Sequence, residues 1–363
     1  MTTLYSNATQ LNPSIKPTIS TSYEVGTEFR LFDNRFWGDI NLYRRDTKNQ
    51  ILNMTVAPQS GYSSRQLNSG LVRNQGIEIS LGGSPIKTKD FQWNIDFNIA
   101  KNQNELVELN PDMKEYNLAS YKFSYWWYLK AIEGRPLGVI TSTYRWARNE
   151  EGKPILKATT SNAWGGGYQP TYDSTEKEEG TFQPDWTGGF STDFRYKNFR
   201  VAANFDFMVG GKMLSVTNMY GKASGMVKET ALLNDKGINE REPVLKGGGV
   251  RVDGVDTEGK PVTCYMNAYY YYNYTKYDLG AYIYDRSYLK MRELSVSYDL
   301  PRAFLKKAGV GLSNASISFV ASNPWLIYSA CPNVDPSESG SSWREGGQVG
   351  STRSFGLTVK LGF

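Results

Sequence analysis

The sequence contains no histidine, and its 363 residues include only two cysteines, Cys264 and Cys331. Without histidine the commonest general base and the commonest metal ligand are gone, and no Ser-His-Asp arrangement can be built. Two cysteines so far apart define no disulfide framework and are too few for a structural zinc site. No run approaches the roughly 18 apolar residues that a transmembrane helix needs. The glycines at 165–167 and 247–249 lack the Lys-Ser/Thr that follows in a phosphate-binding loop. Asp253, Asp256 and Glu258 lie close together, but their spacing and the missing distal glutamate depart from a calcium loop, so no metal site is assigned. Charge is equally unrevealing. The 41 basic and 36 acidic residues give +5 with no basic block, so nucleic acid is not expected as a partner. These absences argue against an enzyme; no catalytic residue and no cofactor is expected.

What the chain does contain is aromatic residues (14%), led by 25 tyrosines, and 35 glycines. The hydrophobic fraction is 39% and the mean hydropathy is -0.51. A chain that is polar on average yet rich in Tyr and Gly fits a membrane β-barrel, in which only half of each strand faces lipid. It is also compatible with a secreted all-β protein.

Periodicity narrows the choice. In residues 351–363, Phe355, Leu357, Val359, Leu361 and Phe363 alternate with Gly356, Thr358, Lys360 and Gly362. That period of two marks a strand lying between two different media. The pattern recurs upstream at 20–32, 36–56, 70–83, 91–102, 186–196, 199–209, 286–299 and 314–327. In residues 91–102, Phe91, Trp93, Ile95, Phe97 and Ile99 alternate with Gln92, Asn94, Asp96 and Asn98. Burying that polar set in a dry core would leave donors and acceptors unpaired at ~1–3 kcal/mol each. A wet lumen removes the cost.

Residues 121–130 and 136–147 read less clearly as a hairpin, which brings the count to about eleven strands. Trp126, Trp127 and Tyr128 break the alternation there and are assigned to an interfacial aromatic girdle. Residues 84–90 and the pair 197–198 are read as tight turns, and Pro324-Trp325 as a kink. A long insertion at 210–285 holds a helical candidate at 212–234 and the run Tyr269, Tyr270, Tyr271, Tyr272 and Tyr274. Those tyrosines can stack on sugar rings, or can pack an extracellular loop on itself or on a partner. Connections alternate short and long, the habit of outer-membrane barrels with long loops outside. The expected fold is therefore all-β, an antiparallel transmembrane β-barrel in the bacterial cell outer membrane, with outer-membrane lipid around it. The first twenty residues carry no signal peptide and the strand count is odd. The whole span 1–363 is thus expected to be the later part of a longer chain.

Several stretches resemble the carboxy-terminal half of SusC/RagA-type TonB-linked outer-membrane transporters of the Bacteroidetes. They are SYEVGTEFRLFDNR (22–35), NQGIEISLGGSPIKTKDFQWNIDFNIAKN (74–102), EGRPLGVI (133–140), PDWTGGFSTDFRYKNFRV (184–201), GGKMLSVTN (210–218), SYLKMRELSVSYDLP (287–301) and the STRSFGLTVKLGF ending. The resemblance implies a large barrel holding a plug, and import of glycans or peptides with a SusD-like surface lipoprotein as lid. It implies energy from the TonB complex, through an amino-terminal part with no counterpart in 1–363. It further implies that the final strand, with Val359, Leu361 and Phe363, is the signal read by the barrel-assembly machinery. The family's signal sequence, TonB box, plug and first strands are not matched, so transport by residues 1–363 alone is not expected. The alternative reading is a complete small outer-membrane porin or a secreted β-rich adhesin.

Overall fold

The computed structural model describes residues 9–55, 61–68, 70–110, 113–308, 311–347 and 349–363. Nine strands form one antiparallel sheet: β1 (Ile19–Leu31), β2 (Phe36–Lys48), β3 (Leu71–Lys87), β4 (Phe91–Glu108), β5 (Trp186–Tyr196), β6 (Phe199–Val209), β7 (Tyr288–Asp299), β8 (Asn314–Ser329) and β9 (Ser354–Gly362). Their order in the sheet is their order in the chain. Every second connection therefore falls on the same rim. Among the described residues, those of the connections 32–35, 88–90, 197–198 and 300–313 lie at one rim, and those of the long segments 49–70, 109–185, 210–287 and 330–353 rise from the other.

The alternation read from the sequence becomes two faces. One unbroken cross-strand row runs Ile86, Trp93, Phe194, Val201, Val296, Phe319 and Leu357. A row beside it runs Phe91, Tyr196, Phe199, Tyr298, Ile317 and Val359. Side chains one position along point to the opposite face, which is polar: Gln92, Arg195, Arg200, Ser297, Ser318 and Thr358 face one another across the same strands. Rings on the apolar face stack, Phe190 on Phe205 at 4.3 Å and Trp93 on Phe194 at 5.3 Å. Gly38 makes room for this packing, because a Cβ there would come within 2.4 Å of the Phe29 ring.

The first short turn is tight because Phe32, Asp33 and Asn34 all take positive φ, a conformation that Asp and Asn tolerate best among residues with side chains. The expected kink at Pro324-Trp325 is a β-bulge: Asn323 has φ +49° and the register against β7 slips between Met291 and Glu293. Proline has no N–H to give to the ladder, so a bulge is where a strand tolerates it. Residues 84–90 are only partly a turn, since β3 continues to Lys87 past an irregularity between Gly83 and Ile86. The second strand is shorter than expected. It ends at Lys48, where Asn49 takes φ +58°, and the chain resumes as Ile51–Thr55 in a separate three-stranded sheet.

The strand count also differs from the expected eleven. Residues 121–130 and 136–147 supply Tyr125–Ile132 and Val139–Ser142, which pair with Glu115–Phe123 and Lys177–Thr181 in a sheet of their own. Trp126, Trp127 and Tyr128 are therefore not a girdle on the nine-stranded wall. Trp127 is fully buried and donates its indole N–H to the Leu279 carbonyl at 3.2 Å, while Trp126 and Tyr128 stack at 5.7 Å. The helical candidate at 212–234 resolves into a short strand (Lys212–Ser215), helix α1 (Val216–Ala223) and a 3-10 turn (Lys228–Thr230). After Pro301 the chain forms a short helix, Arg302–Ala308.

The largest dry cluster among the described residues lies in this cap of long segments, and a smaller one (Val72, Leu106, Leu109 and Ala131) joins β3 and β4 to it. Trp127 and Ile140 from the first large insertion, Leu214, Met219, Leu279 and Tyr282 from the second, and Trp343 from the last long loop form one cluster. Within the nine-stranded sheet, large apolar side chains are exposed instead: Val25, Leu42, Phe199, Phe355, Leu357 and Val359 are each more than half so. β1 and β9 are the open edges of the sheet.

Candidate functional site

The polar face of the sheet and the loops docked on it form the candidate site. On that face Arg200 pairs with Asp193 at 2.6 Å, and Arg292 grips Asp206 through two bonds of 2.7 and 2.8 Å. Tyr288 donates to the same Asp206 carboxylate at 3.0 Å. A planar guanidinium holding both carboxylate oxygens fixes the two strands in register.

The last long loop is tied to this wall. Lys290, 1% exposed, projects from β7 and meets Asp335 and Glu338 at 2.7 Å each. Glu338 also accepts from Arg292 at 2.8 Å. Asp335 caps the 3-10 turn Pro336–Glu338 by accepting from the Ser337 amide at 3.0 Å. Burial pushes the Asp335 carboxyl up, but Lys290 and Ser337 outweigh it and hold the group below the ordinary carboxylate range. Glu338 is lowered too, first by its bond to Lys290. Further along the loop, Glu345 is 1% exposed at the start of α1, where it accepts from the Thr217 amide at 2.9 Å, the Thr217 hydroxyl at 2.7 Å and the Ser215 hydroxyl. A carboxylate beside the unpaired amides of a helix start is favourably placed. Between loop and wall lies a cavity of about 540 Å³, with Lys290, Asp335, Glu338, Glu345, Ser351 and Arg353 in its lining.

Sequence reasoning passed over this anchor. The signal was present as Asp335-Pro336-Ser337-Glu338, a capping residue followed by proline and, three positions on, an acid.

The tyrosine run forms helix α2 (Ala268–Thr275), capped by the Asn267 side chain. The helix turns its rings different ways. Tyr270 and Tyr274 lie against Trp164 at 6.0 and 5.0 Å, and Tyr271 meets Trp146 edge-on at 5.6 Å. Tyr272 donates its hydroxyl to Glu240 at 2.6 Å and to the Glu229 carbonyl at 2.8 Å. Its phenol is raised by burial and by Glu240. Tyr269 alone of the five is exposed, at 67%. The structure thus brings Tyr270 and Tyr274 together on Trp164, with Tyr269 edge-on to Tyr270 at 5.3 Å and Tyr271 edge-on to Tyr272 at 5.1 Å.

Asp253 accepts from Thr263 and Arg251, Asp256 accepts two amides of its own turn, and Glu258 pairs with Lys260. Cys264 and Cys331 are buried free thiols, pushed up by burial to about 11 and about 12. Val359 and Leu361 lie on the apolar face of β9, and Phe363 follows its last residue at 88% exposure. Among the described residues no helix is long and apolar enough to cross a membrane, which leaves strands as the elements to judge.

A meander of amphipathic strands with long segments on one rim is matched by a family of that architecture. The family described as TonB dependent receptor-like, beta-barrel, covers residues 1–323. The chain belongs to this family. TonB-dependent receptor P3 of Formosa agariphila is 28% identical over 339 residues, which is 90% of this chain and 31% of that receptor. TonB-dependent receptor SusC of Bacteroides thetaiotaomicron is 28% identical over 195 residues, 52% of this chain and 19% of SusC. Among solved structures, the RagAB peptide importer in its open-open state superposes with a TM-score of 0.68 at 18% identity, over 97% of this chain and 35% of that one. At that identity the agreement speaks to the fold. The SusC/RagA resemblance read from the sequence stands. This TonB-dependent receptor barrel segment spans about a third of the length of the Formosa receptor that it matches over most of its own length.

Proposed function

We propose that residues 1–363 form the later part of the barrel wall and the extracellular cap of an outer-membrane transporter. On this reading the complete receptor imports glycans or peptides. A SusD-like surface lipoprotein covers its mouth, the TonB complex drives it through a part outside 1–363, and the barrel-assembly machinery inserts it. The observation that carries the reading is the inverted burial. Rows of large apolar side chains stand exposed on one face of the sheet, while polar and charged side chains line the other. Soluble monomers rarely expose so continuous an apolar surface. Lipid on one side and a water-filled, plugged lumen on the other satisfy both faces.

The long segments rise from one rim and pack into a cap, as extracellular loops do above a wall closed by short periplasmic turns. The two open edges, β1 and β9, count against a self-contained porin, because unpaired N–H and C=O groups cannot stand in hydrocarbon. They are matched instead by further strands of a longer barrel.

The test is uptake of oligosaccharides and peptides by cells carrying the full-length receptor, with and without TonB. Uptake that requires both supports the proposal. Accumulation that is indifferent to TonB contradicts it. Residues 1–363 expressed alone behind a signal peptide are expected to import nothing.

A further inference from the structure

Beside the exposed Tyr269 lies a pocket of about 370 Å³, set between the end of α1 and the start of α2 and lined by Gly225, Thr230, Arg241, Asn267, Tyr269 and Tyr272 among others. No aspartate or glutamate lines it. Arg241 is held rigidly. Its Nε donates to the Thr230 carbonyl at 2.8 Å, and its Nη2 donates to the Thr230 hydroxyl at 2.8 Å and to the Gly225 carbonyl. Those bonds occupy three of the five guanidinium N–H groups. The two on Nη1 have no partner among the described residues, and neither does the side-chain NH₂ of Asn267, whose carbonyl oxygen is taken by the Tyr269 and Tyr270 amides. Glu240 does not line the pocket, and its carboxylate receives the Tyr272 hydroxyl. The opening thus offers fixed, unused donors and one full positive charge beside a flat ring. That ring is Tyr269, braced edge-on by Tyr270 at 5.3 Å.

We propose that this pocket binds a carboxylated sugar, a uronate unit of an oligosaccharide, with its carboxylate on Arg241 and Asn267 and the C–H face of its ring against Tyr269. The proposal rests on the import reading above and narrows its cargo. A carboxylate takes up the free donors in charge-assisted bonds, and the fixed geometry of Arg241 spares the entropy of ordering it. A pyranose presents an apolar C–H face that suits an aromatic ring. An acidic peptide is less well matched. Bound peptides commonly add to a strand edge, and the named lining residues lie in helix ends and loops. The pocket's volume lies within the range of small-molecule sites.

The experiment titrates the purified full-length receptor with trigalacturonate and, as a neutral control, maltotriose. Trigalacturonate is expected to bind at least about tenfold more tightly, a difference of about 1.4 kcal/mol. Tyr269→Ala and Arg241→Gln should each weaken its binding about tenfold or more, with partial recovery in Arg241→Lys, and Arg241→Gln should narrow the gap between trigalacturonate and maltotriose. Arg241 also braces Thr230 and Gly225, so Tyr269→Ala is the decisive variant, since its exposed ring supports little of the fold. Equal affinity for the two trisaccharides overturns the proposal, as does unchanged trigalacturonate binding by Tyr269→Ala. It is likewise overturned if the variants keep trigalacturonate binding but lose a partner lipoprotein. Binding is measured on purified receptor, so loss of TonB-dependent uptake with binding intact counts against the import reading and not against the pocket.

Discussion

The Lys290 ammonium lies 2.7 Å from the Glu338 carboxylate, joining the polar face of β7 to the loop that follows β8. Asp335 lies at the same distance on the same ammonium, so one buried cation holds two acids. Removing that cation leaves Asp335, 13% exposed, without its ion pair and Glu338 with Arg292 alone. Breaking a buried pair from one side costs ~3–5 kcal/mol. The partial exposure of Glu338, 33%, puts this case toward the lower end. Lys290→Met is expected to lower the thermal transition of the full-length receptor, and adding Asp335→Asn should restore part of the loss. A transition unchanged by Lys290→Met would contradict the anchor.

The same contact makes a pH prediction with a definite sign. Asp335 and Glu338 are held below the ordinary carboxylate range, so they bind fewer protons folded than unfolded. Their contribution is present above the unfolded value near 4 and is lost as pH falls through the lowered folded values. Protease cleavage within residues 330–350 should stay slow at pH 5 and accelerate below about pH 4. In Lys290→Met the acceleration should begin at a higher pH, because the carboxyls lose the charge that depressed them. An identical pH course in both proteins would argue that another contact holds the loop.

What could be read from the sequence was whatever obeys a short period. Phe91, Trp93, Ile95, Phe97 and Ile99 alternate because β4 divides two media, and the structure extends the same strand to Glu108. Where elements pack against other protein, the period vanishes. Tyr125–Ile132 carries Trp126, Trp127 and Tyr128 in succession because its sheet packs in the cap, where Trp127 and the consecutive Leu129, Lys130 and Ala131 are buried while Trp126 stays 36% exposed. The tyrosine run read as neither helix nor strand from its pattern, since four identical residues have no amphipathic period. Its helical start is set by the Asn267 cap and by packing on Trp164 and Trp146. The anchor at Lys290 joins residues more than forty positions apart and left only a local capping signature.

Within the tyrosine helix two neighbouring substitutions should part company. Tyr272→Phe removes the hydroxyl that satisfies Glu240, a side chain only 9% exposed, and should cost ~1–3 kcal/mol. Tyr269→Ala removes a ring that is 67% exposed and should change stability by no more than about 0.5 kcal/mol. Thermal unfolding of the two variants side by side checks this; equal losses would mean that the exposed ring is packed against something in the full receptor.

The end of the chain yields a separate expectation. Phe363 lies just past β9 with 88% of its surface free, so it contributes little to the packing of the sheet. If the alternating strand ending at Phe363 is the assembly signal, deleting this residue should leave the full-length receptor in the periplasm, open to degradation. Normal surface levels of the deletion would place the signal elsewhere.

In the transporter proposed above, the sheet is a wall with lipid on the face of Val359 and water on the face of Thr358. Val359 stands opposite Ile317 in the apolar row, and Thr358 opposite Ser318 in the polar one. A cationic side chain at the lipid midplane of a barrel costs ~2–4 kcal/mol, whereas one facing the lumen costs far less. The direct measurement is the amount of folded, heat-modifiable full-length receptor in outer membranes for Val359→Arg and Thr358→Arg. The wall predicts a sharp fall for Val359→Arg and near-normal levels for Thr358→Arg. Equal levels of the two variants would contradict it.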